Sequence, residues 1–291
     1  MTSEKVQHIH QPKVLAVVLN WNGLELTQKC CESLLAQNYK NLDVVIVDNG
    51  STFNTPAQLQ AACPEAEIIA SNENLGFAGG VNLGFKRVFE EENEYSYVWL
   101  LNNDVICEKD ALAGLIEKAE AEPQSAAVGC RMREGNPDNK TERIVPAGKR
   151  LRPPLFIPAE PTDPEDIDYL CGACMLIRVK ALKETSGFDE NYFFFFEDAD
   201  WCFTIRSKGW NISVADGIFI THLGSATIKK MSYNLAAYYR AGHVLFLRKN
   251  SGIPFLASLS TTLFRILSDA LKLNFGGVKG NISGFLKGWQ K

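Results

Sequence analysis

No stretch of this 291-residue chain is both long and apolar enough to span a bilayer. The longest charge-free run of its C-terminal part, Ser251 to Phe264, falls short of the ~20 residues that a spanning helix needs. The first residues, MTSEKVQHIHQPK, lack the apolar core and small-residue cleavage site of a secretory signal, so export is not expected. Basic charge is not in excess either. With 30 Lys+Arg against 34 Asp+Glu the net charge is -4, so the chain has no general attraction for nucleic acid and any anionic ligand must be held by local groups. A second CxxC or CxxH is missing, so CGAC at Cys171 to Cys174 completes no structural zinc site. The eight cysteines are scattered through a chain far longer than small disulfide scaffolds, and they read as reduced, cytosolic thiols.

What is present is a globular composition, 46% hydrophobic and 22% charged, sufficient for one large domain or a domain with an appendage. VLAVVLN (Val14 to Asn20) is a continuous apolar run that suits a strand buried on both faces of a parallel sheet. LELTQKCCESLLAQ follows with apolar residues at helical spacing, then a second buried strand, LDVVIVDNGS, the helix-like PAQLQAACP and a shorter strand, AEIIAS. NENLGFAGGVNLGF reads as a glycine-rich loop before a helix starting near KRVFEEE, and YSYVWLLNND is a fourth strand. The alternation predicts strand–helix–strand units in a mainly parallel sheet.

Ligands of such sheets sit beyond the carboxyl ends of the strands, and those ends are polar here: Asn20 and Asn22, Asp48, then Asn102, Asn103 and Asp104. Any one of them alone is an ordinary turn or helix cap, but their recurrence predicts one shared cleft. The glycines of NLGFAGGVN miss the GxGxxG spacing, and the stretch lacks the Lys and Ser/Thr of a P-loop. A glycine-rich loop opening a helix still brings backbone N–H groups toward a phosphate.

VVLNWNG, VVIVDNGS, NENLGFAGGVNLG, WLLNNDV, GACMLIR, GFDENYFFFFEDADWCFTIRSKGW and THLGSAT occur in this order. Together they resemble the family 2 glycosyltransferases, and within them the bacterial rhamnosyltransferase-like branch, over roughly Lys13 to Asn250. The resemblance implies an α/β, GT-A (Rossmann-like) sheet flanked by helices with a C-terminal helical appendage. It divides the chain into a disordered tail (1–12), a glycosyltransferase domain (13–230) and a helical segment (231–291).

By the same resemblance Asn20, Asn22 and Asp48 line the nucleoside site, and Asn74, Gly76 and Asn82 lie along the ribose and diphosphate. NND stands where the family has DxD, with Asn103 beside the nucleotide and Asp104 on the metal. Asn102 replaces the first aspartate and lowers the ligand charge. His222, one of four histidines, would reach the metal or diphosphate from the far side. The metal would be Mg²⁺ or Mn²⁺, because a sugar leaving a nucleoside diphosphate builds up charge that oxygen-liking divalent ions, basic groups or oriented amides stabilise.

Asp198 matches the family's base, Glu197 points toward acceptor or an arginine, and Trp201 shares a helical face with Asp198. Arg206 would orient the carboxylates or contact the diphosphate, and Asp200 is expected to be solvated or capping. Phe193 to Phe196 would form a buried wall and acceptor platform. The Gly-Ala turn of YLCGACMLIR would pack beneath donor and acceptor. The Pro-rich, charged stretch 133–168 reads as a variable excursion over the site's mouth, either a lid or a passive loop.

The expected activity is inverting transfer of a sugar, rhamnose or a related hexose, from a dTDP- or UDP-sugar to a cell-surface polysaccharide or lipid-linked glycan. A sugar-1-phosphate nucleotidyltransferase and an inactive nucleotide- or sugar-binding module are the alternatives. NWNG argues against the first of these, where a basic pyrophosphate loop would be needed; Asp104, Asp198 and His222 argue against the second. In the C-terminal segment, Lys272, Lys279, Lys287 and Lys291 accompany Leu, Phe and Ile with almost no acid. This pattern suits an interfacial helix at the inner face of the plasma membrane, and equally a helical homodimer or a packing appendage.

Overall fold

The computed structural model describes residues 11–90, 94–134, 143–223 and 233–291. Its centre is β1 (Val14–Asn20), apolar along almost its whole length because both faces are covered. It lies between β2 (Leu42–Asn49) and β4 (Tyr97–Asn102), with β3 (Glu67–Ser71) outside β2, and all three pairings are parallel. The crossovers carry α1 (Leu24–Leu35), α2 (Pro56–Ala62) and α3 (Gly76–Glu90). Thr55 and Gln58 form a reciprocal capping box at the start of α2, with Pro56 in the first turn, where its missing N–H costs nothing.

The glycine-rich stretch expected to be a loop is already helix from Gly76 onward. Ala78, Val81, Phe85 and Val88 form its buried face, and the glycines set its distance from the sheet. A Cβ on Gly84 would lie 2.4 Å from Val17 Cγ1, and one on Gly80 would lie 2.6 Å from Leu19 Cδ1. Close helix–sheet packing is therefore what these residues serve.

Beyond β4 the sheet becomes mixed. The chain passes through β5 (Val105–Cys107), α4 (Ala111–Ala121), β6 (Ser125–Glu134) and β7 (Arg143–Val145). A small sheet follows, made of β8 (Gly148–Arg152), β9 (Ile157–Ala159) and β10 (Tyr169–Leu170). Next come β11 (Cys174–Arg178), α5 (Val179–Thr185), α6 (Glu197–Ser207) and β12 (Asn211–His222). The large sheet has the order β3-β2-β1-β4-β11-β6-β12-β5, with β7 beside β6. β11 is antiparallel to β4 and β6, whereas β12 runs parallel to β6.

Part of the stretch read as an excursion is ordered: its β8 and β9 form, with β10 just beyond it, the antiparallel sheet β10-β8-β9. Residues 135–142 of that stretch lie outside the described residues. So do 1–10 of the N-terminal tail, Gly224 to Thr227 of THLGSAT, and the expected boundary at 230/231. All eight cysteines are free thiols, seven of them buried.

The C-terminal part folds as α7 (Tyr233–Asn250), α8 (Pro254–Leu271) and α9 (Phe275–Gln290). Gly280, Gly284 and Gly288 recur every four residues and form one stripe of α9 that lies on α7; a Cβ on Gly284 would sit 2.3 Å from the Ala237 carbonyl oxygen. The opposite faces are apolar and exposed: Leu256, Leu263, Leu267 and Leu271 on α8, Phe275, Ile282 and Leu286 on α9. Among the described residues no helix is long and apolar enough to cross a membrane.

Much of the aromatic run before α6 turns toward α7. The Phe193 ring stacks on Tyr238 at 4.5 Å, Phe195 meets Tyr239 edge-on, and the Phe196 ring stacks on His243 at 4.9 Å. Phe195 and Phe196 hold left-handed backbone, with φ of 73° and 72°, uncommon for non-glycine residues, and the surrounding ring contacts hold the turn in place.

Candidate functional site

Three polar strand ends converge. Asn20, fully buried at the end of β1, donates from Nδ2 to Asp48 Oδ1 and to Ser51 Oγ, each at 3.1 Å. Its Oδ1 accepts from Gly23 N at 3.1 Å, Thr27 Oγ1 at 2.9 Å and Asn103 Nδ2 at 3.4 Å. Asn20 is thus the knot that aligns the ends of β1, β2 and β4. Asn22 is left-handed (φ 57°) and its Oδ1 accepts from the N–H groups of Thr52 and Phe53, fixing the loop after β2. Among the described residues no donor reaches Asp48 Oδ2.

Asn74, Gly76 and Asn82 form an adjoining group with a different job from the one expected. Asn49, which sequence reasoning did not single out, accepts from Leu75 N at 3.0 Å and donates to Gly76 O at 2.9 Å. Its position directly after Asp48 in the DNG turn was the available signal. Asn74 Oδ1 accepts from Gly76 N at 2.8 Å, and Phe77 N donates to Phe193 O at 2.7 Å. The N–H groups of Gly76 and Phe77, the first two of α3, are therefore already committed to protein. Gly76 must be glycine for two reasons: its φ is 75°, and a Cβ would lie 2.2 Å from Phe193 O. Asn82 is spent on Phe188 and Glu190: Nδ2 donates to Phe188 O and Glu190 Oε1, and Oδ1 accepts from Phe188 N.

Asp104 and His222 come together because β12 returns antiparallel to β5, pairing His222 with Val105. Leu223 N also donates to the Asp104 carbonyl at 2.9 Å. The side chains meet with His222 Nε2 3.2 Å from Asp104 Oδ1, a buried oxygen that receives no hydrogen bond of good geometry. Burial pulls the His222 imidazolium down, but Asp104 and Glu134 beside it prevail and hold it above the ordinary histidine value.

One buried carboxylate oxygen without a donor, faced by one imidazole nitrogen, is a donor set that fits a divalent ion of the Mg²⁺ or Mn²⁺ kind. Among the described residues no group of three His, Cys, Asp or Glu side chains could hold a metal unaided. Phosphate oxygens and water would have to complete the shell.

The acidic start of α6 is tied by hydrogen bonds to the turn beside the end of β4. Asp198 Oδ2 accepts from Gly172 N at 3.0 Å and its Oδ1 from Ala199 N at 2.7 Å. Gly172 precedes Ala173, whose carbonyl accepts from Asn102 N, so this turn joins Asp198 to the end of β4. Burial raises the Asp198 pKa against the lowering effect of these N–H groups. Glu197 is more deeply buried, with Oε2 unpartnered; burial first, and the Asp198 charge second, push it well above the usual carboxylate range. Two neighbouring carboxylates with a deficit of donors hold a proton readily.

Three expected roles are corrected here. Trp201 does not reach acceptor or carboxylates: it is 2% exposed, packed in the core beside Phe188, with Nε1 donating to Thr185 Oγ1 at 2.9 Å. Arg206 points away from Asp198, its guanidinium donating to the carbonyls of Asp168 (2.9 Å) and Ile167 (3.0 Å), where it fastens the small sheet. Asp200 is not solvated but 5% exposed, accepting from the Tyr192 hydroxyl at 2.8 Å and paired with Lys249 of α7 at 2.9 Å. Helical spacing puts all three on α6 but cannot say which neighbour each one meets.

The chain is similar to several known proteins. The chain is 24% identical over 249 residues, 76% of its length and 79% of the other's, to an N-acetylglucosaminyl-diphospho-decaprenol L-rhamnosyltransferase of Mycobacterium tuberculosis. It is 25% identical over 225 residues, 75% of its length and 69% of the other's, to a low-salt glycan biosynthesis hexosyltransferase, Agl10, of Haloferax volcanii. In fold it resembles a mannosyltransferase of Pyrobaculum calidifontis solved with GDP-Man and Mn²⁺, with a TM-score of 0.61 at 13% identity over 97% of this chain and 89% of that one. It also resembles S. aureus TarS 1–349 in complex with UDP, with a TM-score of 0.55 at 19% identity over 82% of this chain and 66% of that one. The fold is that of the GT-A glycosyltransferases. The family model for Glycosyl transferase family 2 matches residues 16–186, more than half of the chain and all of the converging strand ends, and the protein belongs to that family.

Proposed function

We propose that this glycosyltransferase catalyses an inverting transfer of rhamnose or a related hexose from a dTDP- or UDP-sugar to a hydroxyl of a lipid-linked or cell-surface glycan. The observation that carries this reading is Asp198: a half-buried carboxylate of raised pKa, held by two backbone N–H groups and linked through Gly172 and Ala173 to Asn102 at the end of β4. Such a carboxylate suits removal of a proton from an acceptor hydroxyl as it attacks the anomeric carbon from the face opposite the leaving diphosphate. Burial is what raises the basicity of Asp198, and its charge in turn pushes the buried Glu197 beside it toward the protonated form.

On the donor side, Asp48 Oδ2 accepts from the base N–H, with Asn20, Asn22 and Asn103 holding the strand ends around it. Asp104 and His222 would hold the divalent ion, which when bound neutralises charge on the diphosphate. Asn74, Gly76 and Asn82 act by shaping the floor of the cleft rather than by touching phosphate. Nucleotide-bound neighbours of the same fold support a nucleoside diphosphate sugar as donor class. The lipid diphosphate in the name of the mycobacterial relative supports a lipid-linked acceptor. The exposed apolar faces of α8 and α9, bordered by Lys272, Lys279, Lys287 and Lys291, support peripheral contact with the inner face of the plasma membrane.

A thermal-shift panel of UDP, dTDP, GDP and CMP, with and without Mn²⁺, tests the donor half of the reading, because a ligand that binds only the folded chain raises its apparent stability. A metal-dependent rise with UDP or dTDP is expected, followed by slow release of nucleoside diphosphate from the matching sugar donor. Folded protein that responds to none of the four would refute it.

A further inference from the structure

The C-terminal helices line a cavity whose walls are mainly apolar but hold two arginines. A pocket of about 280 Å³ opens between the segment around Leu155, α7 and α8. It is too small for a whole nucleotide sugar, since pockets for drug-sized ligands begin at ~300 Å³. Its walls combine Arg240, Arg265, Ser260 and Thr261 with Ile157 and Phe264.

Arg240 is the unusual member. Its side chain is 1% exposed, yet its hydrogen bonds go only to neutral acceptors: Thr261 Oγ1 and His243 Nδ1, both at 3.0 Å, and more distantly Asn281 Oδ1 and the Thr261 carbonyl. His243 cannot supply the missing charge. Its Nε2 faces the carbonyl oxygens of Leu155 and Phe156, at 2.9 and 3.1 Å, so the proton sits there and Nδ1 accepts from Arg240. Burial and the neighbouring guanidinium hold His243 neutral, its pKa pulled down to about 3. Arg265 adds a second cation, placed over the Tyr239 ring at 5.4 Å. Among the described residues no carboxylate pairs with Arg240 or Arg265. A buried cation without a counter-ion is costly, and two guanidinium groups sharing a pocket compound that cost.

The rim shows what kind of anion would relieve it. Phe264 lines the pocket and is 69% exposed, and it continues into the apolar stripe of Leu263, Leu267 and Leu271. An anionic head in the pocket therefore leaves its attached chain against an apolar surface. Inward, His243 stacks on Phe196, which directly precedes the carboxylates of α6.

We propose that the Arg240–Arg265 pocket binds the phosphate or diphosphate head of a long-chain isoprenoid alcohol, with the chain lying along α8. This makes it the anchoring subsite of a lipid-linked acceptor, an assignment that rests on the transferase reading above. The half-exposed Arg265 fork suits phosphate oxygens bidentately and Arg240 adds its charge from behind, while the Ser260 and Thr261 hydroxyls donate to the Ala257 carbonyl and only line the wall.

The test measures co-sedimentation of the full chain with phosphatidylcholine vesicles carrying undecaprenyl phosphate, and with vesicles carrying phosphatidylglycerol at matched surface charge. Tighter binding to the isoprenoid phosphate is expected, with Arg265→Gln losing about tenfold, the scale of one charged hydrogen bond. Arg265 is half-exposed, so the variant should retain the wild-type melting temperature even where Arg240→Gln does not fold. Equal binding to both vesicles would reduce the surface to a membrane contact, and insensitivity to Arg265→Gln would exclude the pocket; either overturns the proposal. Inorganic pyrophosphate that binds as tightly as the lipid overturns the lipid part. Nucleotide binding by the wild-type chain, measured separately, shows whether the transferase reading or only the pocket has failed.

Discussion

Asp198 and Gly172 are joined by a 3.0 Å hydrogen bond from the Gly172 N–H to the Asp198 carboxylate, linking the start of α6 to the turn that enters β11. Because the next residue, Ala173, bonds back to Asn102, the proposed base and the proposed donor site share one backbone connection. Asp198→Asn keeps the size of the side chain and removes its basicity. Turnover should fall by ~10² to 10⁴, the usual worth of a general base, while nucleotide binding by calorimetry stays near wild type. Near-normal turnover would take Asp198 out of that role.

Asp104→Ala removes the buried oxygen that faces His222. Donor binding at limiting Mn²⁺ should weaken by at least tenfold, and the gap should narrow as Mn²⁺ is raised. A donor affinity that ignores both the substitution and the metal would show the ion to be held elsewhere.

Glu197 gives a pH signature in stability. Its carboxyl ionises near 4.5 in the ordinary state but is raised well above that in the fold. A raised carboxyl favours the folded state while protonated, and that contribution is lost as pH climbs from about 4.5 through the folded value. Glu197→Gln should therefore be relatively more stable than wild type at neutral pH, with the difference shrinking toward pH 4. Parallel melting curves across this range would contradict the assignment.

Gly284→Ala would push a methyl group to 2.3 Å from a backbone oxygen of α7, which cannot move as a side-chain tip can. A loss of roughly 1–3 kcal/mol is expected, the range for overpacking. Gly252→Ala is the control, with nothing within 4 Å of the added carbon. Urea unfolding of the two variants decides it; equal midpoints would mean that α9 is not held to α7 as described.

The strands β1, β2 and β4 were legible because each is a continuous apolar run ending in Asn or Asp, a pattern that few other structures produce. The start of α3 was not legible. Gly76, Gly79, Gly80 and Gly84 look like loop residues until one knows that Val17 and Leu19 lie directly beneath two of them. Arg206 and Trp201 fall on the expected helix, but partners such as Ile167 and Thr185 are supplied by tertiary packing that no helical periodicity contains. The uncompensated charge of Arg240 was equally invisible, since it depends on what does not approach.

The four rings in front of α6 give this enzyme a mechanical property. Phe193 and Phe196 stack on side chains of α7, while Lys249 at the far end of α7 grips Asp200 within α6. The start of the helix that carries the proposed base is thus held at several points along α7, which also lines the rear pocket. Exchanging the last three helices for those of a relative would remove these contacts as well, so a change made at the C-terminal end would be felt at Asp198.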